Sequence, residues 1–304
     1  MSRIPASQPD APPSSLKILL QGAIDYAGLF PPAAVSMSVA VANYAAYRKG
    51  EFAWMLGNFV VAASRLEHFQ KAFDELPESQ NTGEPWRLST IADQEGDFET
   101  LRKFISKAAD RPRAMIESLE IRASSPDEIL AASREIPSGC VCYFELPVGD
   151  GLEDCMGALR QCGACAKVRC GGVKAGKFIS PEDLARFIQL CARTDVSFKA
   201  TAGLHHPLRG RYAVTDNSNS PVVMMHGFLN VLMAAAFAKE GANEAAIAAL
   251  LQDESPFRFG PGGVWWHDQL ADSAQLSKAR RFIHSFGSCS FAGPIQDLQS
   301  LGLT

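Results

Sequence analysis

The sequence predicts an α/β fold, a single closed (β/α)8 TIM barrel. Two observations carry that expectation. The stretch from Ala164 to Gly210 is one strand-helix-strand unit, with Lys167 in the first strand and Lys199 in the second. Its helix is announced by Ser180-Pro181-Glu182-Asp183, in which Ser180 is placed to accept the Asp183 backbone N–H and Pro181 occupies the first helical turn. The same alternation then recurs along 304 residues, enough for a barrel fold that needs about 250.

Taken in order, residues 1–15 (MSRIPASQPDAPPSS) lack an apolar run and are expected to be a disordered tail, not a signal peptide, leaving 16–304 as the barrel. Residues 18–25 (ILLQGAID) are the candidate first strand, ending on Asp25 and followed by the tight YAGLFPPAA loop. A helix over 37–48, a strand over 52–62 and a helix over 65–75 follow. Strand three is 86–92 (WRLSTIA), with a helix over 97–109, and strand four is 113–121 (RAMIESLEI). Glu117 and Glu120 have opposite parity there, so one of them alone faces the axis.

Ser125-Pro126-Asp127-Glu128 opens the next helix as a second capping box, and 140–146 (CVCYFEL) is strand five, ending in Glu145. Strands six and seven hold Lys167 and Lys199, and Arg169 and Thr201, two residues on, point the same way. The long polar segment 204–221 is expected as an active-site lid. Helices over 224–239 and 243–252, strand eight at 257–260 (FRFG) and a final helix over 276–285 complete the pattern.

Composition narrows the function. A net charge of −4 gives no electrostatic footprint for nucleic acid or for an anionic membrane, so the expected partner is a small molecule. The most apolar run, 222–238, is broken by His226, Gly227 and Asn230 and is short for a membrane span; a cytoplasmic protein with reduced thiols is expected. Cys162 and Cys165, with Cys155 and Cys170 nearby, are expected to be buried apolar residues, because no second CxxC completes a four-ligand metal site. No cofactor is expected.

Two lysines inside neighbouring strands point to chemistry. An ammonium is costly to desolvate, and two sharing a cavity repel, so each is expected to be pushed towards the neutral, nucleophilic amine. Such an amine suits imine formation with a carbonyl substrate, then carbon-carbon bond cleavage or formation. The plainer role is pairing with carboxylates such as Glu145.

Four stretches, YFEL, AKVRCGG, SFKATAG and FRFGPGG, stand in the order and at the spacing of the deoxyribose-phosphate aldolase group, and the chain resembles those class I aldolase barrels. The resemblance implies Lys167 as the imine-forming lysine and Lys199 as the neighbour that lowers its pKa and relays protons. It further implies Glu117 as the relay acid from strand four and Asp25 as the aspartate ending strand one.

Departures alter the expected substrate. Val168, Arg169 and Cys170 stand where small hydroxyl residues are usual, and Arg169 is suited to a carboxylate or phosphate. The turns carrying Gly171, Gly172 and Gly203, and those carrying Gly262 and Gly263, are expected to cradle an anion, with His205, His206 and Arg209 beside them. The substrate implied is a small anionic oxo-acid or sugar derivative other than deoxyribose phosphate. The motifs KVRCGG, FKATAGLHHPLRG and IDYAGLFPPA also resemble a group of bacterial proteins, which implies no activity.

Two other classes remain open on the sequence. One is a metal-assisted barrel enzyme with His205, His206, Asp25 and Glu145 as ligands; adjacent histidines point apart, which disfavours both on one ion. The other is a barrel that binds a metabolite without turnover, with His226 and Asn230 one helical turn apart as its polar groups. Trp265, Trp266 and His267 are placed either over a ligand or in a homo-oligomer interface.

Overall fold

The computed structural model describes residues 13–77, 83–107, 113–215 and 218–304. The tail expected over 1–15 therefore lies outside the described residues except at its end. There Ser14 and Ser15 already belong to helix α1 (Ser14–Leu20), and Ser15 is buried. The first strand is shorter than 18–25: Leu16, Leu19 and Leu20 recur at helical spacing and are buried on α1. Gly22 then turns the chain at φ +61°, and β1 is Ile24–Tyr26.

The alternation continues through α2 (Met37–Tyr47), β2 (Leu56–Ala62), α3 (Leu66–Asp74), β3 (Trp86–Ile91) and α4 (Asp97–Lys107). It goes on through β4 (Ala114–Arg122), α5 (Pro126–Ser133), β5 (Val141–Glu145), α6 (Leu152–Cys162), β6 (Cys165–Arg169), α7 (Pro181–Thr194) and β7 (Phe198–Thr201). Both expected caps form: Ser125 accepts the Glu128 N–H at 3.3 Å and Ser180 accepts that of Asp183 at 3.0 Å. Each is worth about 1 kcal/mol to its helix.

The next segment corrects four expectations. Part of the expected lid folds as an antiparallel hairpin, β8 (Gly210–Ala213) with β9 (Val222–Met225), so the helix placed at 224 starts later, as α8 (Phe228–Lys239). After α9 (Glu244–Gln252), FRFG is not a barrel strand. It forms β10 (Arg258–Gly260) of an antiparallel sheet with β11 (Gly263–Trp266) and β12 (Gln269–Asp272). That sheet packs on α1, α8 and α10 (Ser273–Phe282), outside the barrel wall. The closing strand is β13 (Ile283–Ser288), which follows α10 without a spacer and occupies the end of the helix expected over 276–285; α11 (Ala292–Ser300) ends the fold.

The barrel order is β1-β13-β7-β6-β5-β4-β3-β2, with every neighbouring pair parallel. The chain is thus a closed (β/α)8 barrel. Its register sets Lys167 beside both Glu145 and Lys199. Between the strands and the helices lies an apolar layer, including Phe59, Phe69, Phe73 and Trp86 packed ring to ring.

Candidate active site

Inside the barrel, charges of alternating sign form one chain of contacts. Lys199 Nζ donates to Asp25 Oδ2 at 2.5 Å and to Glu120 Oε1 at 2.7 Å. The other oxygen of Glu120 meets Lys167 Nζ at 2.6 Å, and Lys167 meets Glu145 Oε2 at 2.8 Å. Glu145 Oε1 in turn accepts from Arg169 Nε at 3.0 Å. Glu120 is the shared anion: a single buried carboxylate lies between two ammonium groups.

Small hydroxyls complete the lower half. Ser285 donates to Asp25 Oδ2 at 2.7 Å, the Asn58 backbone N–H to Asp25 Oδ1 at 2.7 Å, and Ser89 to Glu120 Oε1 at 2.7 Å. Ser118 supports Ser89 at 2.8 Å. The Tyr143 ring lies 5.2 Å from Lys199 Nζ, and its hydroxyl is hydrogen-bonded to His284 Nδ1 at 2.7 Å. Lys199 is 1 % exposed, so it is closed on every side.

The electrostatics correct one expectation. Burial by itself would depress the Lys199 pKa, but Asp25 and Glu120 reverse this and raise it above the ordinary lysine value. Lys199 is therefore a fixed cation, not a neutral amine. Burial would likewise raise the Glu120 carboxyl, yet Lys167 and Lys199 hold it below the usual range. The same opposition, with Lys167 and Arg169 prevailing over burial, lowers Glu145.

Glu117 is the main misplacement. Its side chain is 40 % exposed and faces Arg87 at 3.7 Å on the outside of the sheet, so it belongs to no proton relay. Glu120 is the inward acid of β4. The pattern held a signal for it, because Leu119 and Ile121 are apolar, as the strand face under the helices must be, and Ser118 and Glu120 alternate with them. The sequence reasoning also missed Ser89, Ser118, Tyr143 and Ser285; none belongs to a motif, and only their neighbours in space give them meaning.

At the C-terminal end of the barrel, Gly171 and Gly203 are buried against each other. A Cβ on Gly171 would meet Gly203 Cα at 2.8 Å and the Phe178 ring at 2.7 Å, and Gly203 has φ +71°. These glycines serve close backbone packing, and Phe178 fills the space expected to cradle an anion. A Cβ on Gly172 would meet Lys177 instead. Gly262 and Gly263 are in and beside the outer sheet, away from any barrel strand end, because FRFG does not close the barrel.

The remaining candidates disperse. His206 pairs with Asp297 at 2.6 Å and stacks on Tyr212, while His205 faces Cys289 at 3.9 Å. The four ligands of the metal alternative are thus not assembled: Asp25 and Glu145 are paired with lysines, and His206 with Asp297 of α11. Among the described residues, no three His, Cys, Asp or Glu are grouped to hold a metal. Arg209 gives its backbone N–H to Asn230 at 3.0 Å and approaches His226 at 3.4 Å, which ties the loop after β7 to α8. Burial pushes His226 down to about 4, so it is neutral there.

Asn230 also donates to the Leu250 and Asp253 carbonyls, a bracing role. Trp266 and His267 both reach Asp253 and anchor the outer sheet, not a ligand. Cys165 is pushed up to about 11 by burial and Cys170 to about 12, consistent with thiols that pack. A cleft of about 740 Å³ opens at the barrel rim beside Glu145 and Arg169, with Arg122, Lys177 and Phe178 also in its wall.

The fold and this charged interior define an enzyme-like (β/α)8 barrel. No family model and no curated protein matches the sequence. Among solved structures the chain is similar to a nitroalkane oxidase from Streptomyces ansochromogenes at 14 % identity, covering 64 % of this chain and 62 % of that one, with a TM-score of 0.31. The chain therefore matches less than two thirds of that protein's length. So remote a likeness says nothing of chemistry, and the barrel rests on its own strand order. No helix among the described residues is long and apolar enough to cross a membrane.

Proposed function

We propose that the chain is a Schiff-base, aldolase-like lyase acting on a small anionic carbonyl compound, with Lys167 as the imine-forming amine. One observation carries the reading: two lysines stand side by side on β6 and β7 and share Glu120, and Lys167 alone is in contact with Glu145 at the rim cleft. Lys167 is itself buried, but Glu145 lines that cleft, so one of its two partners faces the outside.

In this reading Lys199 remains charged, held by Asp25 and Glu120, and Lys167 is the amine that gives up a proton once Glu145 has let go of Arg169 while staying on Lys167. Glu145 takes that proton. The Lys167 lone pair attacks the carbonyl carbon, and the oxygen takes up a proton to give a carbinolamine. Glu145 then returns its proton to the leaving hydroxyl, and water departs. Of the three ammonium hydrogens two leave as water and one stays on the iminium, so the charge of +1 is conserved.

The iminium accepts the electron pair when the bond between its α and β carbons breaks, and the β-hydroxyl proton passes to Glu145 as the aldehyde leaves. Protonation and hydrolysis of the enamine then restore Lys167. The relay assigned in the sequence to Glu117 falls to Glu120 and Glu145.

Borohydride reduction of the full chain with a panel of aldehydes and 2-oxo acids, followed by intact mass and peptide mapping, tests this. One adduct per chain on Lys167 is expected. No adduct with any carbonyl, at saturating concentration, would overturn the reading.

A further inference from the structure

We infer, resting on the imine reading above, that the substrate is a 2-oxo acid whose carboxylate takes the place of Glu145 on Arg169. The structure contains a carboxylate in the relevant position already. Glu145 bridges the two cations: one oxygen lies 2.8 Å from Lys167 Nζ, and Arg169 grips the group through Nε at 3.0 Å and Nη2 at 3.3 Å. Amine and guanidinium are thus one carboxylate apart.

That separation selects among carbonyl compounds. In a 2-oxo acid the carbon attacked by the amine is bonded directly to the carboxylate carbon. Its carboxylate can lie in the Arg169 fork while C2 meets Lys167. In a sugar phosphate the anion is several bonds from the carbonyl, so making both contacts would need a folded chain in place of the single carboxylate that joins the two cations here.

The rim permits the exchange. The Arg169 side chain is 44 % exposed and lines the cleft, and Arg122, paired with Asp93 at 3.3 Å, stands 3.7 Å from the Glu145 oxygen that Arg169 Nε holds. Between Gly171 and Gly203, where an anion was expected, the Phe178 ring packs instead. Displacement by the substrate frees Glu145 to take the Lys167 proton, so binding and activation are one event. Imine formation on C2 then follows the balance given above, two ammonium hydrogens leaving with the ketone oxygen as water.

The test compares pyruvate with methyl pyruvate, which keeps the ketone and removes the charge, in borohydride trapping on Lys167. For the wild type, half-saturation by pyruvate is expected at about 10- to 100-fold lower concentration, the worth of a charge-assisted fork. In Arg169→Gln that ratio is expected to fall to within about threefold, and Arg169→Lys to lie between. Circular dichroism checks the fold of both variants.

A wild-type ratio near one, or a ratio that Arg169→Gln leaves unchanged, overturns the 2-oxo acid while the imine stands. Failure of pyruvate, methyl pyruvate and propanal alike to trap on Lys167 removes the imine reading and this inference with it.

Discussion

The two ends of the internal charge chain differ in kind. At the deep end Lys199 has Asp25, Glu120 and Ser89 within reach, each of them held by further groups, and the ammonium is sealed from solvent. At the other end Lys167, itself buried at 4 % exposure, has two carboxylates, one of which, Glu145, lines an open cleft and is shared with an exposed arginine. The same residue type on neighbouring strands thus has opposite prospects. A lysine whose partners cannot leave is an electrostatic fixture; one whose partner can be exchanged is available for bond making.

The most severe way to test that contrast is Lys167→Met. It is expected to abolish trapping and turnover with little loss of fold, because Glu120 keeps Lys199 and Glu145 keeps Arg169. Wild-type-like activity in that variant would erase the distinction. Lys199→Met should do the reverse damage, leaving Asp25 and Glu120 as buried charges short of a partner, and urea unfolding should show a loss of about 3–5 kcal/mol. A loss no greater than that of Lys167→Met would show the deep end to be no fixture.

Acid sharpens the comparison further. The Glu120 pKa is lowered in the fold, so its stabilisation is present above the unfolded value of about 4.3 and is lost as pH falls through the folded value. That of Lys199 is raised, so its share is present below about 10.4 and lost as pH rises through the folded value. Urea midpoints should be insensitive to these groups between those limits and fall in acid, less steeply in Lys199→Met. Equal acid slopes in the two proteins would contradict this. The smallest effect is expected from Glu117→Gln, outside the barrel, within about 0.5 kcal/mol and without change in trapping.

Much of the fold was legible because strands and helices announce themselves locally. Ser125 and Ser180 marked helix starts, and the alternation of β6 and β7 put Lys167 and Lys199 on one face. FRFG misled because a short apolar strand before glycine has the same appearance in a barrel and in an outer sheet. The true closing strand, IHSFGS, follows its helix with no glycine or proline to mark the change.

By itself, then, the sequence determined the alternation of elements from β2 to β7, the caps and the parity of Lys167 and Lys199, since these depend on residues a few positions apart. Tertiary structure alone decided which strand closes the barrel and that the inward acid of β4, Glu120, lies between the two lysines. It also decided that Asp25, 174 positions from Lys199, holds that lysine charged. The physical reason is register: a hydrogen-bonded neighbour fixes which residues share a level inside the barrel, and a buried charge takes its protonation from whatever that level provides.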